Sequence, residues 1–491
     1  MIATPNSDTK PTAWASVIGL EVHCQLATRS KLFCACASAF GAAPNTLVCP
    51  VCLGAPGALP VLNRAAVRLA LRAGLALGCT IDRASRFDRK NYFYCDLPKG
   101  YQITQYARPI AVGGGLELPA ELGGRTVRLR RIHLEEDAGK AIHDRGDATL
   151  VDLNRAGVPL IEIVCEPDLA TSQEAHAYLS ALKEVLQYAG VSECDMEKGS
   201  LRCDVNVSLH RPGTPLGTRV ELKNLNSFRY VVAAIEHEVA RQRALLERGE
   251  LVQRETRLWD AERGETRPMR SKEEEEDYRY FPDPDLAPAL LAPGDVQRER
   301  AALPELPAAR RERWQRELAL SAYDAGVLSA SRELADFFEA TVHASGLAKE
   351  SANWIANDVL AALADPALGV RSLAESRLTP ARLAELVRLA AAGELTRSGA
   401  RELLRALFQR DGAPAELVAQ LGLARVADEG QLVEWCRAAL AGQSKAAADV
   451  RNGELKALGA LMGPVMKASR GRADPRRVQE TLLRLIREGA S

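Results

Sequence analysis

Residues 17–26 alternate between apolar and polar side chains, which predicts a β-strand with one buried face. The even positions are all apolar: Ile18, Leu20, Val22, Cys24 and Leu26. Because successive side chains of a strand point to opposite sides, this face should pack on a core. Glu21 and His23 would then lie roughly 7 Å apart on the other face. Such a pair could hold a divalent cation or move protons, although a solvated face of an antiparallel sheet has the same pattern.

The following 270 or so residues mix predicted strands and helices without a regular order. Alternation recurs at 200–208 and 219–223, and Ala/Leu-rich or capped segments predict helices at 63–77 and 172–188, the second with Ser172 as its cap. No strand–helix–strand repeat is visible. The pattern therefore predicts an α+β domain.

A proline-rich stretch at 283–307 separates this region from one that is almost entirely helical. The spacing of Leu334, Phe337, Phe338 and Val342 gives one apolar helix face, and Thr379-Pro380 and Asp474-Pro475 each predict a helix start. A Gly/Ala/Pro break follows residue 410. We predict a loose tail at 1–15, the α+β domain at 16–293, a helical domain at 294–410 and a helical tail domain at 411–491.

Composition indicates an ordinary water-soluble enzyme or binding protein. Basic and acidic residues both number 64, so any nucleic-acid surface must be local. There is no apolar run long enough to span a bilayer, and the polar first 15 residues lack the apolar core of a signal peptide. We therefore expect a cytoplasmic protein without membrane association, in which the 11 cysteines are reduced.

Four of these cysteines form two close pairs, Cys34-x-Cys36 and Cys49-x-x-Cys52. Two pairs of thiolates joined by a short loop suit a tetrahedral zinc ion, with reduced core cysteines as the alternative. All four positions are cysteine, which leaves no open coordination position. The spacing therefore predicts a structural zinc site.

Two further segments carry candidate chemistry. Residues 131–140 hold three consecutive acids, Glu135, Glu136 and Asp137, which could complete a magnesium site with Glu21 and His23 or form only a charged turn. Alternation does not choose among the three. Residues 87–102 interleave cations and aromatic side chains, a composition that suits phosphates or stacked bases and equally a half-buried loop.

The last helices are the basic part of the chain. The segment from Arg451 to Arg487 contains nine Lys and Arg residues and only three acidic residues. This excess of positive charge is typical of a phosphate-binding surface, and also of an exposed basic helix without a ligand. The sequence contains no phosphate-binding loop of the G-x-x-x-x-G-K-[ST] type, no G-x-G-x-x-G after a strand and no G-x-S-x-G elbow. A serine nucleophile is therefore not expected.

Several long segments in one order resemble the B subunit of the aspartyl/glutamyl-tRNA(Asn/Gln) amidotransferase. They cover about residues 16–290, and the resemblance continues more weakly to the end of the chain, at LMGPVMKASRGRADP. The strongest are VIGLEVHCQL, FGAAPNTLVCPVCLGAPGALPVLN, FDRKNYFYCDLPKGYQITQY, HLEEDAGK, LVDLNRAGVPLIEIV, GSLRCDVNVSL, ELKNLNSF and DYRYFPDPDL.

The resemblance implies a fold and a reaction. The family's catalytic domain is a twisted antiparallel sheet flanked by helices, called the cradle, similar to the glutamine synthetase/guanido kinase fold. There ATP and magnesium phosphorylate the side-chain carboxylate of Glu or Asp misacylated on tRNA(Gln) or tRNA(Asn). Ammonia then displaces the phosphate. It is released from glutamine by the amidase, or A, subunit, which works with the small C subunit in a heterotrimer. Without these partners the chain should be inactive in the full reaction.

The resemblance also assigns residues. It implies magnesium ligands at Glu21, His23 and Glu136, places Lys90 and Lys99 along the ammonia route and near the catalytic cradle, and identifies the four cysteines with a zinc site that some members lack. It places tRNA on the helical and tail domains. From strand alternation alone, we add pocket-facing candidates: Arg202, Asp204, Asn206, Glu221 and Lys223. The competing hypothesis is a non-catalytic, zinc-containing subunit that only presents tRNA to another enzyme.

Overall fold

A computed structural model describes residues 14–142, 148–271, 278–426 and 428–488. The chain divides into two compact units, Met1–Pro307 and Ala308–Ser491. Most of the tail predicted at 1–15 lies outside the described residues, and Ala15 is the first residue of a strand. The finer domain boundaries given above remain predictions.

The strands belong to the first unit. They are β1 (Ala15–Gln25), β2 (Thr80–Ile81), β3 (Ala84–Asn91), β4 (Tyr101–Arg108), β5 (Ala111–Val112), β6 (Gly115–Glu117), β7 (Thr126–Glu136), β8 (Lys140–Ile142), β9 (Leu150–Asp152), β10 (Pro159–Cys165), β11 (Leu201–His210), β12 (Val220–Lys223), β13 (Glu255–Asp260), β14 (Glu265–Ser271), β15 (Phe281–Pro282) and β16 (Ala289–Leu290).

Among the described residues, four α-helices lie in the first unit and the others lie in the second, with α5 beginning at the boundary. They are α1 (Arg64–Ala76), α2 (Ser172–Tyr188), α3 (Phe228–Glu247), α4 (Pro293–Ala301), α5 (Pro307–Glu317), α6 (Ala322–Leu328), α7 (Arg332–Ser345), α8 (Ala348–Trp354), α9 (Leu360–Leu363), α10 (Pro380–Ala391), α11 (Arg397–Gln409), α12 (Pro414–Leu421), α13 (Glu429–Gly442), α14 (Ser444–Arg451), α15 (Leu458–Ala468) and α16 (Pro475–Glu488). The α+β class followed by a helical region is thus confirmed.

One large sheet organises the first unit, with β1 near its centre. In the described residues its strand order is β14-β13-β12-β11-β1-β10-β7-β5-β2, and β6 pairs with the edge of β7. β1 is antiparallel to both neighbours, β11 and β10. The sheet is antiparallel, as expected, except at one pair of strands, β12 and β13, which run parallel. The long helix α3 connects those two strands, as a parallel crossover requires.

The apolar face of β1 lies in the main core, as its alternation predicts. Ile18, Leu20, Val22, Cys24 and Leu26 are all at most 4% exposed, and they share one cluster with side chains of α1, α2 and α3. Burial of each large aliphatic side chain contributes on the order of 1.5–3 kcal/mol. The helices therefore cover one face of the sheet, and the polar face of β1 is left for other contacts.

Side-chain caps define where the covering helices begin. The Asn63 side chain accepts a hydrogen bond from the Ala65 backbone N–H at the start of α1. At α2 the cap is Thr171, which forms a capping box with Glu174. Ser172, the cap expected from the sequence, is instead the first helical residue. The helix bounds themselves agree with the predicted segment.

The second unit is helical throughout its described residues. Leu334, Phe337 and Phe338 of the predicted stripe are buried on α7. Thr379 caps α10, and α16 begins at Pro475, as the Thr-Pro and Asp-Pro pairs predict. Residues from α13 to α16 form a small core of their own. Among the described residues no helix combines the length and apolarity that a membrane crossing requires.

Candidate active site

The register of four strands places a row of charged side chains across the polar face of the sheet. His23 of β1 lies opposite Arg202 of β11 on one side and Glu162 of β10 on the other. Glu162 lies in turn opposite His133 of β7. Because directly opposed residues of antiparallel strands point to the same face, the four side chains share one surface.

Two histidines and two carboxylates meet in this row. The His23 Nε2 atom is 3.3 Å from Glu162 Oε2 and 4.0 Å from Glu135 Oε1. His133 Nε2 is 3.3 Å from Glu135 and 3.5 Å from Glu162. One ligand atom from each of His23, Glu135 and Glu162 lies within 4.8 Å of the others, a spacing that could hold a metal ion. We call these three residues the acid–histidine cluster.

Electrostatics keep the acids of this cluster ionised. Burial acts to raise the pKa of Glu162, but His133, His23 and Lys90 outweigh it and hold the pKa well below its usual value. Burial likewise acts to raise the pKa of Glu135, and His133 and His23 overcome it, so this pKa is also lowered. Charged carboxylates are the form that binds a hard cation.

A second group of predicted residues extends the polar face toward β12. Glu21 lies opposite Asp204, and the Asn206 side-chain amide donates to Glu21 Oε1 at 3.0 Å. Lys223 donates to Asp204 at 2.5 Å and lies 3.8 Å from Glu221. Burial lowers the pKa of Lys223, but Asp204 and Glu221 outweigh it and raise this pKa overall. The lysine therefore stays charged between acids.

Apart from Asn206, these two groups line one cavity of about 330 Å³, which we call the active-site cavity. Among the predicted site residues its walls contain Glu21, His23, Lys90, Asp204, Glu221 and Lys223. Thr104, His133, Glu135, Glu162, Tyr278 and Tyr280 line it as well. The lining of the cavity thus combines acidic side chains with cationic and aromatic ones.

Lys90 enters the active-site cavity from β3. Its Nζ lies 4.5 Å from the ring centre of Tyr278 and 5.7 Å from that of Tyr92. Burial lowers the pKa of Lys90, but Tyr280, Glu135 and Glu162 outweigh it, so its pKa is raised. Lys90 is therefore a fixed positive charge beside the acid–histidine cluster.

Of the candidates predicted from strand alternation, Arg202 and Asn206 lie outside the active-site cavity. Arg202 donates to Asp137 at 2.7 Å, and Gln25 donates to the same carboxylate at 2.7 Å. Asp137 is thereby held in an ion pair and does not join His23. Asn206 lines a neighbouring cavity, together with Glu21.

Glu136 is the clearest departure from the expected set. It does not lie with Glu21 and His23, because its carboxylate pairs with Lys99 and accepts a hydrogen bond from the Ile103 backbone at 2.9 Å. Glu136 and Lys99 line a separate cavity of about 240 Å³ beside Cys34 and Cys52, which we call the Lys99 cavity. The acid that the structure brings to His23 is Glu135, and the two predicted lysines line different cavities.

Sequence reasoning missed Glu162 and did not use His133. Glu162 is a single acid between Ile161 and Ile163 in a strand that is otherwise apolar, and this isolated charge was the available signal. His133 stands two residues before Glu135, with which it shares a strand face.

The four predicted cysteines come together in the loop after β1. Their sulfur atoms all lie within 4.8 Å of one another, and the Cys49 and Cys52 sulfurs are 3.9 Å apart. A hydrogen bond from Cys34 lowers the pKa of Cys52 to about 4 against the effect of burial, with help from Lys31. Four clustered sulfurs that include a ready thiolate fit a tetrahedral zinc ion.

The nine basic residues between Arg451 and Arg487 are largely exposed. The Arg484 side chain lies 3.5 Å from Glu429, and the side chains of the other eight form no ion pair with the described residues. Seven of the nine are exposed: Arg451, Lys456, Lys467, Arg470, Arg476, Arg484 and Arg487. A surface of this kind can bind polyanions.

Comparison with known proteins defines the class to which this fold and site belong. Residues 16–297 match the family model described as the GatB/GatE catalytic domain, and residues 336–486 match the GatB domain. The first match contains the sheet, both cavities and the four cysteines. The second lies within the helical unit.

Curated relatives are similar over nearly the whole chain. The chain is 50% identical over 471 residues to the B subunit of the aspartyl/glutamyl-tRNA(Asn/Gln) amidotransferase of Pelodictyon phaeoclathratiforme. It is 52% identical over 475 residues to the protein of the same name from Anaeromyxobacter sp. (strain Fw109-5). Each comparison covers 96% of this chain and 98% of the relative. The chain therefore belongs to the family of these B subunits, and the predicted enzyme class, an amidotransferase, is confirmed.

Proposed function

We propose that this chain catalyses ATP-dependent transamidation of Glu-tRNA(Gln), Asp-tRNA(Asn) or both. The side-chain carboxylate of the misacylated residue is first phosphorylated and then amidated with ammonia. The observation that carries the proposal is the acid–histidine cluster beside Lys90 in the active-site cavity. A carboxylate accepts ammonia poorly, and forming an acyl phosphate requires that developing charge on the transferred phosphoryl group be neutralised.

The donor set fits magnesium. Glu135, Glu162 and His23 would hold the ion, and Glu21, Asp204 and Glu221 would supply further oxygen atoms around it. Bound there, magnesium would neutralise phosphate charge. Lys90 adds a fixed positive charge on the same side of the cavity, and Lys223 holds Asp204 in place. These residues position and stabilise anionic groups.

The Lys99 cavity suits the route by which ammonia reaches this site. Lys99, Glu136 and Lys31 provide polar groups on its wall. We therefore assign Lys99 and Glu136 to the ammonia route instead of the metal site. Lys90 lies at the receiving end, in the active-site cavity.

Zinc, the partner subunits and the tRNA body would bind outside the active-site cavity. Zinc bound by Cys34, Cys36, Cys49 and Cys52 would hold the loop beside the Lys99 cavity. The amidase (A) subunit, with the small C subunit, would supply ammonia in a heterotrimer in the cytoplasm. The basic surface of α14 to α16 would bind the tRNA body.

The test separates this function from a tRNA-presenting subunit without catalysis. In the complex reconstituted with its partners, His23→Ala should abolish Gln-tRNA or Asn-tRNA formation, while tRNA affinity stays within about twofold. Preserved amide formation in the variant would favour the non-catalytic alternative. Arg211→Ala, an exposed change outside the cavities, is the matched control.

A further inference from the structure

Lys31 is a lysine without access to solvent. The residue is 0% exposed, although it borders the Lys99 cavity. Its side chain forms no ion pair with a carboxylate among the described residues. Lysine is almost never fully buried without a partner, because a buried ammonium ion loses its hydration. Lys99 of the same cavity has such a partner in Glu136, so the charge of Lys31 needs a different anion.

The Lys31 ammonium group lies against the cysteine cluster. Its Nζ atom donates to Cys52 Sγ at 3.5 Å and to the Leu153 backbone carbonyl at 3.4 Å. Cys52 is buried, whereas the other three cysteines of the quartet are half-buried. The Cys52 sulfur also accepts a hydrogen bond from the Cys49 backbone N–H at 3.1 Å. Two N–H donors therefore meet at the one buried cysteine of the four.

Backbone contacts and packing fix Lys31 in this position. The Lys31 backbone N–H donates to the Cys36 carbonyl at 2.9 Å, and the N–H of Leu32 donates to the Gly157 carbonyl at 2.8 Å. A Cβ atom at Gly157 would lie 3.4 Å from Cys52 Cβ and 3.5 Å from Lys31 Cδ. Both side chains thus pack against the same glycine, which holds the lysine stem beside Cys52.

We propose that Lys31 offsets the negative charge of the four zinc-binding thiolates and strengthens metal binding through Cys52. Four thiolates around one Zn²⁺ ion leave an excess of negative charge, which a buried ammonium group stabilises. Lys31 is a positioning residue, since it contacts a ligand of the metal and neither the metal nor the substrate. This assignment rests on the zinc site of the proposed function, and adds to it a residue that the cysteine spacing does not reveal.

The zinc affinity of full-length variants, measured by competition with a chromophoric chelator, tests this role. Lys31→Met removes the charge and both hydrogen bonds at a similar side-chain length, and should weaken Zn²⁺ binding at least about tenfold. Lys31→Gln, which can still donate to Leu153, should also weaken it, because the charge is lost. The control is Lys99→Met, the same change in a lysine paired with a carboxylate, which should leave zinc affinity within about twofold of the wild type.

Thermal unfolding distinguishes charge compensation from support of the loop alone. Lys31→Met should lower the melting temperature of the zinc-loaded protein. After zinc is removed by a chelator, the same variant should melt at or above the wild-type temperature, because an isolated buried charge no longer has to be accommodated. A lysine that only supported the loop through Leu153 would lower both melting temperatures equally, and that result would overturn the proposal.

Zinc affinities within about twofold of the wild type in the Lys31 variants would overturn it as well. Where Lys31→Met does not fold, the zinc affinity of Lys31→Gln decides the question by itself. A wild-type chain that binds no zinc would refute the zinc site and the role of Lys31 together. The phosphoryl-transfer function fails separately, through amide formation that persists in His23→Ala.

Discussion

Glu135 and Glu136 are consecutive residues at the end of β7, and their side chains line two different cavities. Glu135 lies 4.0 Å from His23 and accepts a hydrogen bond from Thr104 at 2.9 Å. Glu136 pairs with Lys99 on the opposite side of the strand. Strand alternation at this one position therefore separates the candidate metal site from the candidate ammonia route.

The cysteine cluster should bind one zinc ion per chain. Cys52→Ser should remove the zinc and lower the melting temperature of the first unit, because metal binding stabilises the folded loop. Metal analysis and thermal unfolding measure the two effects. The control is Cys95→Ser, since Cys95 is exposed and lies outside the quartet. Full zinc content in the Cys52 variant would refute the assignment.

Glu299 should stabilise the first unit by joining α4 to α1. Arg72 donates two hydrogen bonds to its buried carboxylate, at 3.0 and 2.7 Å, and Arg68 donates one at 2.7 Å. Removal of one partner from such a group costs roughly 1–3 kcal/mol. Glu299→Gln should lower the unfolding midpoint in urea accordingly, and Glu250→Gln, in an exposed pair with Arg248, should have little effect.

The same carboxylate predicts a pH dependence. Burial acts to raise the pKa of Glu299, but hydrogen bonds from Arg72 and Arg68 outweigh it and lower this pKa. The stabilisation is therefore present above the ordinary glutamate pKa, near 4.3, and is lost as the pH falls through the lower folded value. The stability difference between wild type and Glu299→Gln should shrink in acid. A difference that grows as the pH falls would contradict this sign.

The basic surface of α14 to α16 should bind tRNA through phosphate contacts. The double variant Lys467→Ala/Arg470→Ala should weaken tRNA binding. It should also reduce the slope of log Kd against the logarithm of the salt concentration by about one to two. Arg263→Ala, which removes one exposed positive charge from the first unit, is the control. An unchanged salt slope in the double variant would place the tRNA elsewhere.

Local patterns predicted much of this fold because they depend on short-range physics. The alternation around Glu21 and His23 identified both the central strand and its buried face, and Thr379-Pro380 and Asp474-Pro475 marked two helix starts. The cysteine spacing predicted a cluster that the structure brings together. Each of these features is encoded within a short stretch of the chain, the longest of which is residues 34–52.

Features set by long-range pairing were harder to predict. Glu162 reaches His23 only because β10 pairs with β1 in one register, and a one-residue shift would turn it to the core. The parallel pairing of β12 with β13 depends on where the chain returns after α3. For the three acids of residues 135–137, alternation left the choice open, and the resemblance indicated Glu136. The register and contacts of β7 instead place Glu135 beside His23.

The acid–histidine cluster should bind the divalent cation that phosphoryl transfer requires. Titration of Mn²⁺ into the reconstituted complex, followed by electron paramagnetic resonance, tests it with two adjacent and nearly isosteric changes. Glu135→Gln removes a charged ligand and should weaken Mn²⁺ binding at least tenfold. Glu136→Gln should leave the Mn²⁺ affinity within about twofold of the wild-type value. Equal Mn²⁺ affinities in the two variants, or a loss of affinity confined to Glu136→Gln, would place the cation outside the acid–histidine cluster.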